Sequence, residues 1–282
     1  MDTPFPVLDT PVEQRLHFLD LPDSRTLATP DVEAVRDGLA LAAAERAMMC
    51  LAGTAGTGKT LAVHAALHHH PHHAVLPLGA RPGPTDLRWH LHHALHLDGP
   101  VPEDPGLADA HIRTSLAEQP PILVVDEADR LSASGFELLR HLYDDLGGLC
   151  IVLIAGHRGE RTLSNQRMLH SRTAVWHTTT PLPWHRIPAA AHALHPRWRD
   201  LAATDLRTLD AGYAQGNLRR WACMTHHANR LTIRAGADRF TADLLEALLD
   251  RIDPPRQHRA GGPAHNLGPA AEERPQRTDP DL

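Results

Sequence analysis

Apolar residues follow two different patterns along the chain, and the change falls near residue 188. Before it, short continuous apolar runs alternate with longer stretches at helical spacing. The runs are Ala47-Met48-Met49-Cys50-Leu51-Ala52, Ala74-Val75-Leu76-Pro77-Leu78, Pro121-Ile122-Leu123-Val124-Val125 and Leu149-Cys150-Ile151-Val152-Leu153-Ile154-Ala155. A run apolar at successive positions predicts a strand buried on both faces, as in a parallel sheet. Helices are expected from Thr29 to about Arg46, after the turn Gly53 to Thr60 as far as His68, and over 84–97, 107–118 and 134–146. The first has a strong start signal: a threonine cap, proline at the first helical position and an acid in the first turn. After about Pro188 the strands stop, and residues 189–195, 205–215, 218–230 and 241–252 keep helical spacing.

Strands alternating with helices give an α/β architecture, a parallel sheet sandwiched by helices, followed by a small all-helical unit. The expected organisation is an arm over 1–28 laid on the core, an α/β core over 29–187, a helical domain over 188–252 and a tail over 253–282. The arm is interrupted by prolines and holds one short apolar piece, Leu16-His17-Phe18-Leu19. The tail is rich in Pro, Gly and charge, with too little apolar surface to order itself.

Composition narrows the function. The chain has 282 residues, 42% apolar but only 4% aromatic, so aliphatic side chains must supply most of the packing. A formal charge of −6 excludes a simple polycation, so binding to nucleic acid would need a local basic face, which an assembled oligomer could form. Three scattered cysteines, Cys50, Cys150 and Cys223, with no signal peptide lead to the expectation of a reduced, cytoplasmic protein. No apolar run reaches the roughly 18 residues of a membrane span, so no membrane partner is expected. Lys and Arg total 28, yet Lys59 is the sole lysine. Coding bias towards arginine explains the other 27, but not one lysine retained inside a glycine-rich turn.

That turn is Gly53-Thr54-Ala55-Gly56-Thr57-Gly58-Lys59-Thr60, followed by Leu61. It is a full phosphate-loop pattern between a predicted strand and a predicted helix. Its glycines let several N–H groups aim at one phosphate, and the helix adds its positive end. Lys59 can reach the β- and γ-phosphates of a bound nucleotide, and the Thr60 hydroxyl can ligate magnesium. Asp126-Glu127 ends the clearest strand. Asp126 is the candidate to hold Mg2+, and Glu127 the candidate base for the attacking water. The bland alternative, an acidic strand end capping a helix, loses ground because ligands bind at the carboxyl ends of parallel strands. The cluster His68-His69-His70-Pro71-His72-His73 lacks a recognisable ligand spacing and is read as an adventitious metal binder at most. The five tryptophans, Trp89, Trp176, Trp184, Trp198 and Trp221, are read mostly as packing anchors.

Asp126-Glu127-Ala128-Asp129 with Arg130-Leu131, downstream of the phosphate loop, resembles the AAA+ ATPases over roughly residues 30–250. The resemblance implies ATP and Mg2+ as cofactors, a helical lid, and an ATP-dependent homo-oligomer in ring or filament form. It places a γ-phosphate sensor at His157, where the family more often has Asn or Thr, the alternative being a plain loop histidine. It implies an arginine acting on the neighbouring subunit's nucleotide at Arg172, with Arg167 in reserve. Gly216-Asn217-Leu218-Arg219 resembles the lid's sensor, with Arg219 on the nucleotide and Arg220 as the adjacent alternative.

Within the family, Ile122 to Leu131, then Leu138-Leu139-Arg140-His141-Leu142-Tyr143-Asp144-Asp145, then Ile151 to His157, looks like the transposition ATPases, bacteriophage Mu protein B, TniB and TnsC. That resemblance implies assembly on double-stranded DNA and service to a transposase, with Arg81 and Arg88 as candidate DNA contacts. Two other readings remain open: a switch acting on a protein partner, and an origin-recognition-type initiator. An initiator would be expected to carry a winged-helix domain, which residues 253–282 are too short and polar to form. A small-molecule kinase is disfavoured by the Asp-Glu pair and the lid.

Overall fold

The computed structural model describes residues 5–8, 21, 23–241 and 243–252. The piece Leu16 to Leu19 and the tail from 253 lie outside the described residues.

The four predicted strands form as β1 (Met48–Gly53), β2 (His73–Leu76), β3 (Ile122–Val125) and β4 (Ile151–Ile154). A fifth, β5 (Thr173–Thr179), was not anticipated. The strands lie in the order β2-β3-β4-β1-β5, and every pairing is parallel. Sequence pattern missed β5 because it is an edge strand. Its positions alternate between exposed and half-buried and it carries polar residues at four of seven positions, unlike the fully buried β1, β3 and β4.

Successive residues of each strand point to opposite faces, and both faces are covered. Met48, Cys50, Leu123, Val125, Ile151 and Leu153 pack beneath α3 (Pro84–Ala94), α4 (Pro105–Glu118) and α5 (Ala133–Asp145). Met49, Leu51, Val124, Val152 and Ile154 pack against α1 (Pro30–Ala44) and α2 (Lys59–Leu67). This is why the runs are continuous: a polar residue at either parity would be buried at a cost of about 1–3 kcal/mol or more unless it found a partner. The expected cap of α1 forms, Thr29 Oγ1 accepting the Val32 N–H at 3.2 Å. Asp31 ties that helix to the end of β5, accepting from Thr180 N at 2.9 Å and from His177 Nε2 at 3.0 Å.

After β4 come two short helices, α6 (Gly159–Ser164) and α7 (Arg167–His170), and after β5 the chain is helical: α8 (Ile187–Leu194), α9 (Ala203–Leu209), α10 (Leu218–Arg234) and α11 (Asp243–Ile252). These last four surround an aromatic core. Trp198 meets Trp221 and Phe240 edge-on, both at 5.5 Å between ring centroids. Both indole N–H groups are satisfied inside, Trp198 by Thr225 at 3.0 Å and Trp221 by Asp210 at 2.9 Å. The described part of the arm joins this cluster through Phe5 and Leu27, while Leu8 alone reaches the α1–α2 side of the sheet. Trp198 and Trp221 are thus packing anchors as expected. Trp89, Trp176 and Trp184 are not, being 48%, 43% and 66% exposed on an outer helix, the edge strand and a connecting turn.

Candidate functional site

β1 runs straight into the phosphate loop, and the loop's backbone explains its glycines. Gly56 and Gly58 sit at φ +85° and +95°, in the left-handed region that L side chains rarely adopt. Turning N–H groups towards one centre turns the carbonyls outward, and each must find a donor. The Lys59 ammonium takes two of them, donating to Gly53 O at 2.8 Å and Thr54 O at 2.9 Å. Thr57 does not face the crevice. Its hydroxyl lies under the loop, donating to Thr54 O and meeting Thr179 Oγ1 at 2.6 Å, which fastens the loop to the end of β5. Gly58 offers α2 no side-chain cap, so the first-turn N–H groups are left for a ligand at the positive end of the helix.

The tip of β3 closes on the same point. Thr60 Oγ1 donates to Asp126 Oδ2 at 2.9 Å, so the expected hydroxyl and carboxylate ligands of a divalent cation are already side by side. Asp126 Oδ1 accepts the Glu127 N–H at 2.8 Å. Glu127 takes the left-handed conformation (φ +55°), and its carboxylate is paired with Arg130 at 2.6 Å. Lys59 is almost fully buried, and burial lowers its pKa, with Asp126 opposing and Arg219 reinforcing the shift. A buried cation with so little compensation is suited to an anionic ligand.

Above the loop, a cavity of about 340 Å³ is lined by Ala55, Gly56, Gly58, Lys59, Thr60, Leu61, Asp126 and Glu127 on one side. The lid supplies Leu194, Leu218, Arg219 and Ala222, and the arm supplies Arg25, Thr26 and Leu27. The lining combines charged side chains (Arg25, Lys59, Asp126, Glu127, Arg219) with aliphatic ones (Leu27, Leu61, Leu194, Leu218). This donor set fits a nucleoside triphosphate with magnesium: N–H groups, a buried ammonium and a hydroxyl–carboxylate pair for phosphates and metal, and an apolar slot for a base. The arm and α8 contributions went unnoticed in the sequence because nothing local marks them. Only the hydrogen bond from Arg25 N to Leu194 O, at 2.8 Å, brings them to the site.

Of the residues singled out by motif, Lys59, Thr60, Leu61, Asp126, Glu127 and Arg219 converge on this cavity. His157 does not line it. Gly156 does, but Asp129 Oδ1 accepts the Gly156 N–H at 3.2 Å and the chain turns away, leaving His157 exposed. Arg172 lies just before β5 with its guanidinium clamped by Asp144, Nε to Oδ1 and Nη2 to Oδ2 both 2.7 Å. The pairing raises the arginine's pKa and holds the Asp144 carboxyl below the usual carboxylate range. Arg167 is exposed nearby. Arg88 forms a bidentate pair with Asp109 at 2.7 and 2.9 Å that joins α3 to α4. Arg81 sits at φ +54° in the loop after β2 and is exposed.

Sheet order, phosphate loop and lid together define a P-loop NTPase fold of the AAA+ type. Residues 43–163 match the family described as AAA domain. Among similar solved structures are Cdc6p from Pyrobaculum aerophilum, 13% identical with a TM-score of 0.64, covering 78% of this chain and 66% of that one. Another is the Aeropyrum pernix ORC1 protein in complex with DNA, 21% identical with a TM-score of 0.60, covering 82% and 66%. A third is the Thermotoga maritima RuvB Holliday junction branch migration motor, 20% identical with a TM-score of 0.51, covering 78% and 68%. The chain therefore spans about two thirds of the length of these structures. No curated protein matches it. Among the described residues, no helix is long and apolar enough to cross a membrane.

Proposed function

We propose that this chain binds ATP in the crevice between phosphate loop and lid and hydrolyses its β–γ bond, using the cycle to control assembly on DNA. The observation that carries the reading is the meeting of Lys59, Thr60, Asp126, Glu127 and Arg219 on one cavity that aliphatic side chains also line. In this reading the loop N–H groups and Lys59 hold the phosphates, and Thr60 and Asp126 hold magnesium. The metal, when bound, neutralises charge on the transferring phosphoryl group. Glu127 accepts a proton from the attacking water, for which its carboxylate must be released by Arg130. Leu27, Leu61, Leu194, Leu218 and Ala222 form the base slot. Arg219 contributes positive charge from the lid side. Arg172 completes the site of an adjacent copy once Asp144 lets it go, and Arg167 is the neighbour able to replace it.

DNA is the partner we favour, because it agrees with both the sequence resemblance to transposition ATPases and the nature of the solved ORC1 complex. Service to a transposase rests on the resemblance of the Ile122-to-Leu131, Leu138-to-Asp145 and Ile151-to-His157 segments alone. An initiator role has in its favour the likeness of fold to Cdc6p and ORC1. The deciding experiment measures nucleotide binding, turnover and ATP-dependent retention on duplex DNA for wild type and Glu127→Gln. The variant is expected to bind ATP normally, turn it over at least about a hundredfold more slowly, and stay on DNA longer. Unchanged turnover removes Glu127 from its role. Retention that ignores both ATP and salt removes DNA as the partner.

A further inference from the structure

The outward carbonyls of the phosphate loop draw their donors from two sources. Gly53 O and Thr54 O are held by Lys59, within the loop itself. Ala55 O and Gly56 O are held by the lid: Asn217 Nδ2 donates to Ala55 O at 2.7 Å, and the Arg219 backbone N–H donates to Gly56 O at 3.1 Å. The fit is close enough that a Cβ on Gly56 would collide with both polar atoms of the Asn217 amide and approach Arg219 Cβ at 2.9 Å. Gly56 is therefore required for its backbone angle and also for the seat it gives the lid.

Asn217 is itself held rigidly. Its Oδ1 caps α10, accepting the Arg220 N–H at 3.1 Å, which leaves the amide N–H to point at Ala55. The preceding turn is fixed from inside the lid core. Asp210, buried, accepts from Gly216 N at 2.8 Å and from the Trp221 indole at 2.9 Å. Gly216, at φ +74°, accepts the Leu182 N–H at 2.9 Å and lies so close to Leu182 that no side chain fits there. One asparagine thus joins the packed interior of the lid to the outer side of the phosphate loop.

We propose that Asn217 is a positioning residue. By binding the Ala55 carbonyl on the outer side, it holds the loop's N–H groups turned inward towards phosphate. The lid then acts on nucleotide affinity through the loop as well as through Arg219. This rests on the nucleotide site proposed above. A loop whose carbonyl lost its donor would rotate that peptide to recover a partner, and the N–H aimed at phosphate would turn away with it.

The test separates the grip from the helix cap. Asn217→Ser caps a helix about as well as asparagine but is too short to reach Ala55. Asn217→Asp also caps, but places a carboxylate against the carbonyl it should donate to. Calorimetry with ADP and with a non-hydrolysable ATP analogue is run beside thermal melting without nucleotide. Both variants are expected to melt with wild type and to bind about tenfold or more weakly, the loss of one hydrogen bond in the loop's support. Wild-type affinity in Asn217→Ser overturns the proposal, including the case where only Asp weakens binding, since charge and not the lost grip would then be the cause. Tighter binding in Asn217→Ser also overturns it, because the contact would then hold the loop shut. Failure of the wild-type protein itself to bind either nucleotide is a different result, and counts against the site reading instead.

Discussion

The two walls of the crevice are built in opposite ways. The loop wall comes from short contiguous segments, residues 55–56, 58–61, 126–127 and 154–156, at the ends of three strands buried on both faces. The lid wall is gathered from residues near 25, 194 and 218, which no local motif connects. The loop wall stands on an aliphatic sheet core, in which Phe136 is the only buried Phe, Tyr or Trp among the described residues. The lid wall stands on a smaller helical core that uses Trp198, Trp221, Phe240 and Phe5, with both indole N–H groups satisfied inside. A small unit without a sheet has less aliphatic area to bury, so it concentrates its stability in a few large rings.

The comparison can be broken most sharply at the loop wall. Lys59→Ala removes the one ammonium aimed at the phosphates and should weaken ATP binding by about a hundredfold or more, at least about 2.7 kcal/mol. Its melting temperature without nucleotide should fall only slightly, since the Gly53 and Thr54 carbonyls lose their donor while a buried charge is removed. Titration calorimetry and a melt on the same sample check both halves, and unaltered affinity would sink the nucleotide assignment.

The lid wall should fail differently. Trp198→Ala removes a fully buried ring at the centre of the aromatic cluster and should cost about 3–5 kcal/mol of lid stability. Proteolysis followed by mass mapping should show cleavage spreading through 187–252 while the sheet core resists, and nucleotide affinity should drop although no loop residue has changed. If the core is digested at the same rate, the two units are not energetically separate.

The cysteines give the mildest contrast. Burial pushes the thiols of Cys50 and Cys150 in the sheet up to about 12 from 9.0. Cys223 on α10 is half-exposed. A thiol reagent should modify Cys223 first and the other two only on unfolding. Because the unfolded thiols ionise near 9.0 and the folded ones do not, the unfolded state binds fewer protons above that pH, and stability should fall as pH rises from 9 to 12. Lys59, with its lowered pKa, opposes this below 10.5, so Lys59→Ala should steepen the fall. Loss of the alkaline fall in a Cys50→Ala, Cys150→Ala double variant, with the Lys59 rise left below 10.5, would confirm the origin of the slope; an unchanged slope would remove it.

Much of the loop wall was legible because its chemistry and its geometry share one stretch of chain. Gly56 and Gly58 announce their backbone angles, and the continuous run Ile122 to Val125 announces the strand that carries Asp126. What was not legible shares a cause too. β5 was missed since an edge strand need not be apolar at every position. The exposure of His157 beside the Asp129–Gly156 hydrogen bond has no local signal in the sequence. Nor do the partners of Arg88 and Arg172 have one, since Asp109 and Asp144 lie 21 and 28 residues away.

The sequence by itself determined the parallel sheet, the phosphate loop and the acidic strand tip, because burial on two faces and a tight glycine turn constrain residues that are neighbours in the chain. Tertiary structure alone decided which arginines are occupied, that the arm and α8 line the cavity above the loop, and that Asn217 donates to the loop's Ala55 carbonyl. Each of those depends on hydrogen bonds between segments far apart in sequence, whose partners are chosen only when the lid and sheet pack together.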